Sequence, residues 1–305
     1  MSKRLLLASF SLLAFSPTAA LACACGCGVF DVGTGTMMPT DVGGSVWLGF
    51  DYMDQNVNWS GTGRSNPANN ADKEITTDFF TAGGQYMFNR SWGAQIEIPY
   101  TVRYFATTDD SGNPASFHHA ALGDIRVEGI YSGLSDDMST GITYGLKLPT
   151  GDYNYANFDR DSSIGTGDVS TLLGAYHQGA ITKDGKFDWF ANGLWDHAVT
   201  VASHYRPGDE LDAAIGSYYN AGPIAGSSNI APLLQLLGSY RLHDTGMAAD
   251  PQDSGYRRVL ISPGLEYDKD AVKFYADVEI PIYQNVNGNQ LTAPVLTKLV
   301  VSYNF

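Results

Sequence analysis

The sequence predicts an all-β fold: a transmembrane antiparallel outer-membrane β-barrel of about twelve strands, following a cleaved signal peptide. Three observations carry this. The N-terminus has the three parts of an export signal, later segments alternate apolar and polar residues over bilayer-crossing lengths, and the last strand ends on an aromatic residue. Composition agrees, because 34 Gly, 18 Tyr and 14 Phe among 305 residues favour strands and turns. A hydrophobic fraction of 44% is ample for a large buried surface and excludes disorder. Only the N-terminus holds a long apolar run, which argues against membrane-crossing helices. With 32 acidic against 18 basic side chains, phosphates would be repelled, so no nucleic-acid partner is expected.

The export signal consists of Lys3 and Arg4, an apolar core from Leu5 to Phe15, and small residues around Ala20-Leu21-Ala22. It divides the chain into a signal peptide (1–22), a periplasmic Cys-rich tail (23–43) and a barrel (44–305). The alternative is a lipoprotein signal acylated at Cys23, although Ala20 stands where a lipobox prefers Leu. Cys23, Cys25 and Cys27 fall in one stretch with no distant partner, so disulfides do not staple the barrel. A C-x-C-x-C run suits Cu(I) or another soft metal, and Met37 and Met38 add thioethers nearby. A local disulfide, an acylated first cysteine and ordinary apolar packing of the methionines are the bland counterparts.

The strands are read from period-two alternation. From Trp92 the series Trp92, Ala94, Ile96, Ile98, Tyr100, Val102 and Tyr104 opposes Gln95, Glu97, Pro99, Thr101 and Arg103. Val272, Phe274, Ala276, Val278, Ile280 and Ile282 likewise oppose Lys273, Tyr275, Asp277, Glu279, Pro281 and Tyr283. The uncharged face carries aromatics near its ends (Trp92, Tyr100, Tyr104, Tyr131, Tyr144, Trp195, Tyr240, Tyr267 and Tyr303), as interfacial girdles on a lipid-facing wall would. Twelve segments follow: 46–52, 79–88, 92–104, 124–131, 141–148, 168–178, 187–195, 210–219, 230–241, 257–267, 272–283 and 295–305. Short connections after every second strand alternate with long ones, giving periplasmic turns, extracellular loops and both termini in the periplasm. Closure removes the sheet edges that lipid cannot solvate.

The ending Leu299-Val-Val301-Ser-Tyr303-Asn-Phe305 resembles the C-terminal recognition strand of outer-membrane barrels, which implies the outer-membrane assembly machinery as a partner. A closer resemblance rests on Gly145-Leu-Lys147-Leu-Pro149-Thr-Gly151-Asp, with Gly123-Asp124-Ile125, Ser262-Pro263-Gly264-Leu265-Glu266-Tyr267 and Val278-Glu-Ile-Pro281-Ile-Tyr283-Gln284-Asn-Val-Asn-Gly288. These motifs are similar to those of the outer-membrane proteins of the phenol-degradation meta-pathway type. That resemblance implies a channel for small hydrophobic or aromatic molecules and covers the region from Gly43 to Phe305. The Cys-rich start is not part of the shared pattern.

Inward positions give the candidate lumen: Glu97, Asp124, Glu128, Glu266, Asp277 and Glu279, with Asp51 and Asp188, against Arg103, Arg126, Lys147, Arg258, Lys273 and Lys298, with Arg241. This near balance predicts a ladder of cross-barrel ion pairs that brace the wall and narrow the passage rather than a strongly ion-selective pore. The acidic loop residues Asp109, Asp110, Asp159, Asp161, Asp209, Glu210, Asp250 and Asp253 are solvated or bridge divalent cations to lipopolysaccharide phosphates, alongside outer-membrane lipid as surroundings. His118 and His119 are placed in a long loop. No histidine converges with Ser and an acid in a hydrolase pattern, so no catalytic residue, no enzyme and no resident cofactor beyond the metal alternative is expected.

Overall fold

The computed structural model describes residues 38–109, 111–225 and 228–305. The expected signal peptide and Cys23, Cys25, Cys27 and Met37 lie outside these residues. In chain order the strands are β1 (Gly43–Gln55), β2 (Val57–Gly61), β3 (Gly63–Arg64), β4 (Asp72–Met87), β5 (Trp92–Thr108), β6 (Pro114–Leu122), β7 (Ile125–Tyr131) and β8 (Thr140–Leu148). There follow β9 (Ser170–Ala180), β10 (Phe187–Ala198), β11 (Glu210–Tyr219), β12 (Pro223–Ala225), β13 (Ser228–Arg241), β14 (Tyr256–Lys269), β15 (Val272–Thr292) and β16 (Leu296–Asn304).

Twelve of these close a ring in which each strand pairs antiparallel with its neighbours: β1, β4, β5, β7, β8, β9, β10, β11, β13, β14, β15, β16 and back to β1. The seam is Ser45 opposite Asn304 through Met53 opposite Leu296, so the C-terminal strand closes the wall it was expected to close. Every backbone donor of the membrane zone thereby finds a neighbouring carbonyl without water.

Alternation fixes which face each residue takes. Leu48, Ile98, Val278 and Leu299 are exposed on the outer surface, whereas their sequence neighbours Trp47, Asp277, Glu279, Lys298 and Val300 are buried inside. At the periplasmic ends Trp92 sits 4.6 Å from Tyr131, Phe187 sits 4.9 Å from Tyr219, and Tyr267 faces Phe274 across β14 and β15. Tyr52, Tyr104, Trp195 and Tyr240 lie near the opposite strand ends. Two aromatic belts therefore bracket the apolar outer surface. Close packing inside is bought at small residues: a Cβ on Gly83 would stand 2.0 Å from the Trp47 ring, so only glycine lets that indole lie against the wall.

Three expectations of strand extent change. β4 starts at Asp72 rather than Phe79, and β15 continues to Thr292, where it pairs with β2. The long connection expected after β5 is a hairpin, because β5 runs to Thr108 and β6 returns along it from Pro114. His118 and His119 are thus strand residues, not loop residues. The extensions stand beyond the aromatic belt, where the outer face is polar. Without apolar alternation they read as loops, and long-range ladder pairing alone makes them strands.

Candidate functional site

The interior mixes charged, polar and apolar side chains on the same strands, and β14, β15, β16 and β1 carry several of its ion pairs and polar bonds. Lys298 Nζ lies 3.7 Å from Asp51 Oδ1, and Lys273 Nζ lies 3.2 Å from Glu266 Oε1. Asp277 Oδ2 accepts from Gln235 Nε2 at 2.8 Å, Ser262 Oγ at 2.8 Å and the Tyr275 hydroxyl. Glu279 is 2% exposed beside Lys298 and Arg258, and Arg258 stacks 4.2 Å from the Tyr256 ring. Across β5, β7 and β8 the residues Glu97, Arg126 and Lys147 stand in register, and Lys147 Nζ reaches Asp196 Oδ2 at 2.6 Å. Glu128 is buried one inward position further on. These pairs join neighbouring or next-but-one strands, so they brace the wall around its circumference instead of spanning the barrel as expected. A buried pair is costly to break singly, since the remaining charge stays desolvated.

A second set of inward positions is apolar, interleaved with the buried Asp212, Gln235 and Ser239. Leu172, Phe190, Leu194, Ala214, Leu237 and Leu260 occupy inward positions of β9, β10, β11, β13 and β14 and form one buried cluster with Met38, Met53, Met87 and Met138. The charged inward positions stand out in the sequence, whereas apolar ones such as Leu233 and Leu237, on either side of Gln235, carry no signal that separates them from the lipid-facing set.

Over the extracellular half, residues 149–169 fold back into the barrel. Asp124, at the break between β6 and β7, clips both stems: Oδ1 accepts from Gly151 N at 2.9 Å, and Oδ2 accepts from Thr166 N at 2.8 Å and Thr166 Oγ1 at 2.6 Å. Thr150 Oγ1 adds bonds to Gly123 O and Ile125 N. Gly151 and Gly165 touch so closely that a Cβ on either would lie 2.7 Å or less from the other's backbone. The Gly123-Asp124-Ile125 and Pro149-Thr-Gly151-Asp motifs, distant in sequence, are therefore halves of one clip. Arg103 anchors the loop's far side by donating to the carbonyls of Ser162 and Ser163, and its Nε donates to Thr77 Oγ1 at 3.1 Å. The loop tip stacks on β6: Tyr155 lies 3.6 Å from the His119 ring, His119 Nε2 is 2.9 Å from Asp152 Oδ2, and Phe158 lies 5.3 Å from Phe105. Burial raises the Tyr155 hydroxyl and the Asp159 carboxyl above their ordinary pKa values. Asp196, His119 and the loop tip were not among the lumen residues expected from sequence. Among the described residues, no group of three or more His, Cys, Asp or Glu is arranged to hold a metal ion.

Residues 58–268 match the family described as "Putative MetA-pathway of phenol degradation", which is more than half of the chain. The chain belongs to this family. The clip motifs and the Ser262–Tyr267 segment fall inside the matched region, while the Cys-rich stretch lies before it. Among solved structures, the COG4313 outer membrane channel from Pseudomonas putida F1 superposes with a TM-score of 0.63 at 13% identity, covering 90% of this chain and 100% of that one. The β domain of the Bordetella autotransporter BrkA gives 0.52 at 11% identity, covering 87% and 100%. At such identities the likeness establishes the fold, an outer-membrane β-barrel. No curated protein sequence matches the chain. Family and fold together place this phenol-degradation-family protein in the outer membrane.

Proposed function

We propose that this member of the family is a passive outer-membrane channel for small hydrophobic or aromatic molecules. The observation that carries the reading is the set of apolar inward positions centred on Leu172, Phe190, Leu194, Leu237 and Leu260. Lipid cannot reach these side chains, and a water-filled pore for polar solutes would not place them there. Beside them, the pairs of Asp51 with Lys298 and of Glu266 with Lys273 brace the barrel and leave no single sign to select ions. The COG4313 protein of similar fold is itself an outer membrane channel, which supports the same class of activity. Liposomes carrying the purified protein should take up a radiolabelled monoaromatic faster than empty liposomes. Leu237→Gln with Leu260→Gln should slow that uptake while leaving passage of a small sugar unchanged. Equal slowing of both solutes would refute the apolar pathway.

A second reading, soft-metal handling, is favoured by one observation. Met38 (8% exposed), Met87 and Met138 belong to the same buried cluster, with Met87 and Met138 near the periplasmic strand ends. Thioethers there, downstream of Cys23, Cys25 and Cys27, would suit Cu(I). Copper retained by the mature protein, and lost when all three cysteines are replaced by serine, would establish it. Mass spectrometry showing no copper would remove it.

A further inference from the structure

Gly264 on β14 stands in register with Leu233 on β13 and Asp277 on β15. A Cβ at this position would lie 2.9 Å from Asp277 Cβ and 3.2 Å from Leu233 Cδ2, so both side chains rest over bare backbone. Asp277 is 5% exposed, and its two carboxylate oxygens differ. Oδ2 is saturated by Gln235 Nε2, Ser262 Oγ and the Tyr275 hydroxyl, one donor from each of β13, β14 and β15. Oδ1 is buried with no hydrogen-bond partner. Three strands therefore fix the group and leave one oxygen as a bare acceptor, whose desolvation is uncompensated until a donor reaches it. Leu233, Tyr275, Val300 and Trp47 form one buried cluster beside it. Tyr218 packs against this cluster and against the apolar one of Leu172, Phe190 and Leu237, its ring 5.6 Å from that of Phe190. The carboxylate thus adjoins the apolar route.

We propose that Asp277 Oδ1 is a recognition point on that route: it accepts a hydrogen bond from the free hydroxyl of an aromatic solute whose ring lies along Leu233 and Tyr218. The inference rests on the channel reading above and adds the polar group that the preferred solute carries. A ring moving along the route parts the side chains that cover Oδ1, and only a ring with a donor then satisfies it. Gln235, Ser262 and Tyr275 are positioning residues, since they hold the carboxylate through its other oxygen.

Charge selects among aromatic solutes. A carboxylated ring would bring a second negative charge to Asp277 in a desolvated interior. An ammonium would meet the buried Lys298, which stands in register with Asp277 across β15 and β16. A neutral hydroxyl pairs with Oδ1 and adds no charge. A ring without a donor leaves the acceptor unpaired, and sites built around a hydroxyl reject such analogues for that reason.

The test titrates the purified protein in lipid nanodiscs with para-fluorophenol and, separately, with para-fluoroanisole, whose oxygen is methyl-capped and cannot donate. Binding is read by fluorine NMR, with empty nanodiscs correcting for partition into lipid. The phenol should bind about tenfold more tightly than the anisole. In Asp277→Asn the three donors hold the amide oxygen and turn the amide N–H₂ toward the solute, a donor that both probes accept from, so the preference should vanish. Equal affinities for the wild-type protein, or a preference that survives Asp277→Asn, overturn the proposal. Should Asp277→Asn fail to insert, Leu233→Trp decides, because it fills the space beside the carboxylate and leaves the carboxylate in place: loss of the preference is expected, and an unchanged preference overturns the proposal. Binding of neither probe to the wild-type protein would sink the channel reading and this inference together, whereas equal binding of both sinks this inference alone.

Discussion

Asp124 shows how much one side chain can organise. Its carboxylate accepts three hydrogen bonds from the two stems of the folded-in loop, and no neutral side chain of the same size offers two acceptor oxygens. Asp124→Asn keeps the volume but turns one oxygen into a donor aimed at Thr166. The loss should be about 1 to 3 kcal/mol of barrel stability, read as urea unfolding in vesicles, together with faster proteolysis within residues 149–169. Unchanged proteolysis would mean that the loop is held elsewhere. The sequence displays Gly123-Asp124 and Pro149-Thr-Gly151-Asp as separate turn motifs. Their union is not legible there, because a side-chain clip between segments far apart in the chain leaves no periodic trace.

At the level of a strand, period two assigns each residue to lipid or lumen, and the consequence is a difference in cost between adjacent positions. Ile98→Arg or Val278→Arg places a charge on the exposed outer surface and should cost about 2 to 4 kcal/mol near the membrane midplane. Glu97→Gln, inside and beside Gln95, should cost less. Folding titrations into vesicles compare the two, and equal costs would overturn the inside-outside assignment. Alternation was readable wherever the outer face had to be apolar. It faded at 72–78 and 284–292, where the strands leave the bilayer and nothing demands an apolar outer face, so β4 and β15 were expected too short. The apolar inward positions were also hidden, since they interrupt the apolar-polar alternation.

For the molecule as a whole, the ring orders its connections. Residues 88–91 and 270–271 are tight periplasmic turns, while 242–255 is an exposed extracellular loop in which Met247 is 83% exposed. Protease added to intact cells should cut near Met247 and spare Arg90 and Asp270. Cutting at those turns first would invert the barrel. The sequence by itself determined the strand count, the two aromatic belts and the face of most side chains. All of these follow from local periodicity imposed by a solvent that is apolar at one depth and aqueous at others. Only the tertiary structure decided that residues 149–169 turn inward and that β6 extends the wall beside β5. Those features arise from contacts between segments brought together by closure, and a single strand's pattern records its solvent, not its distant partners.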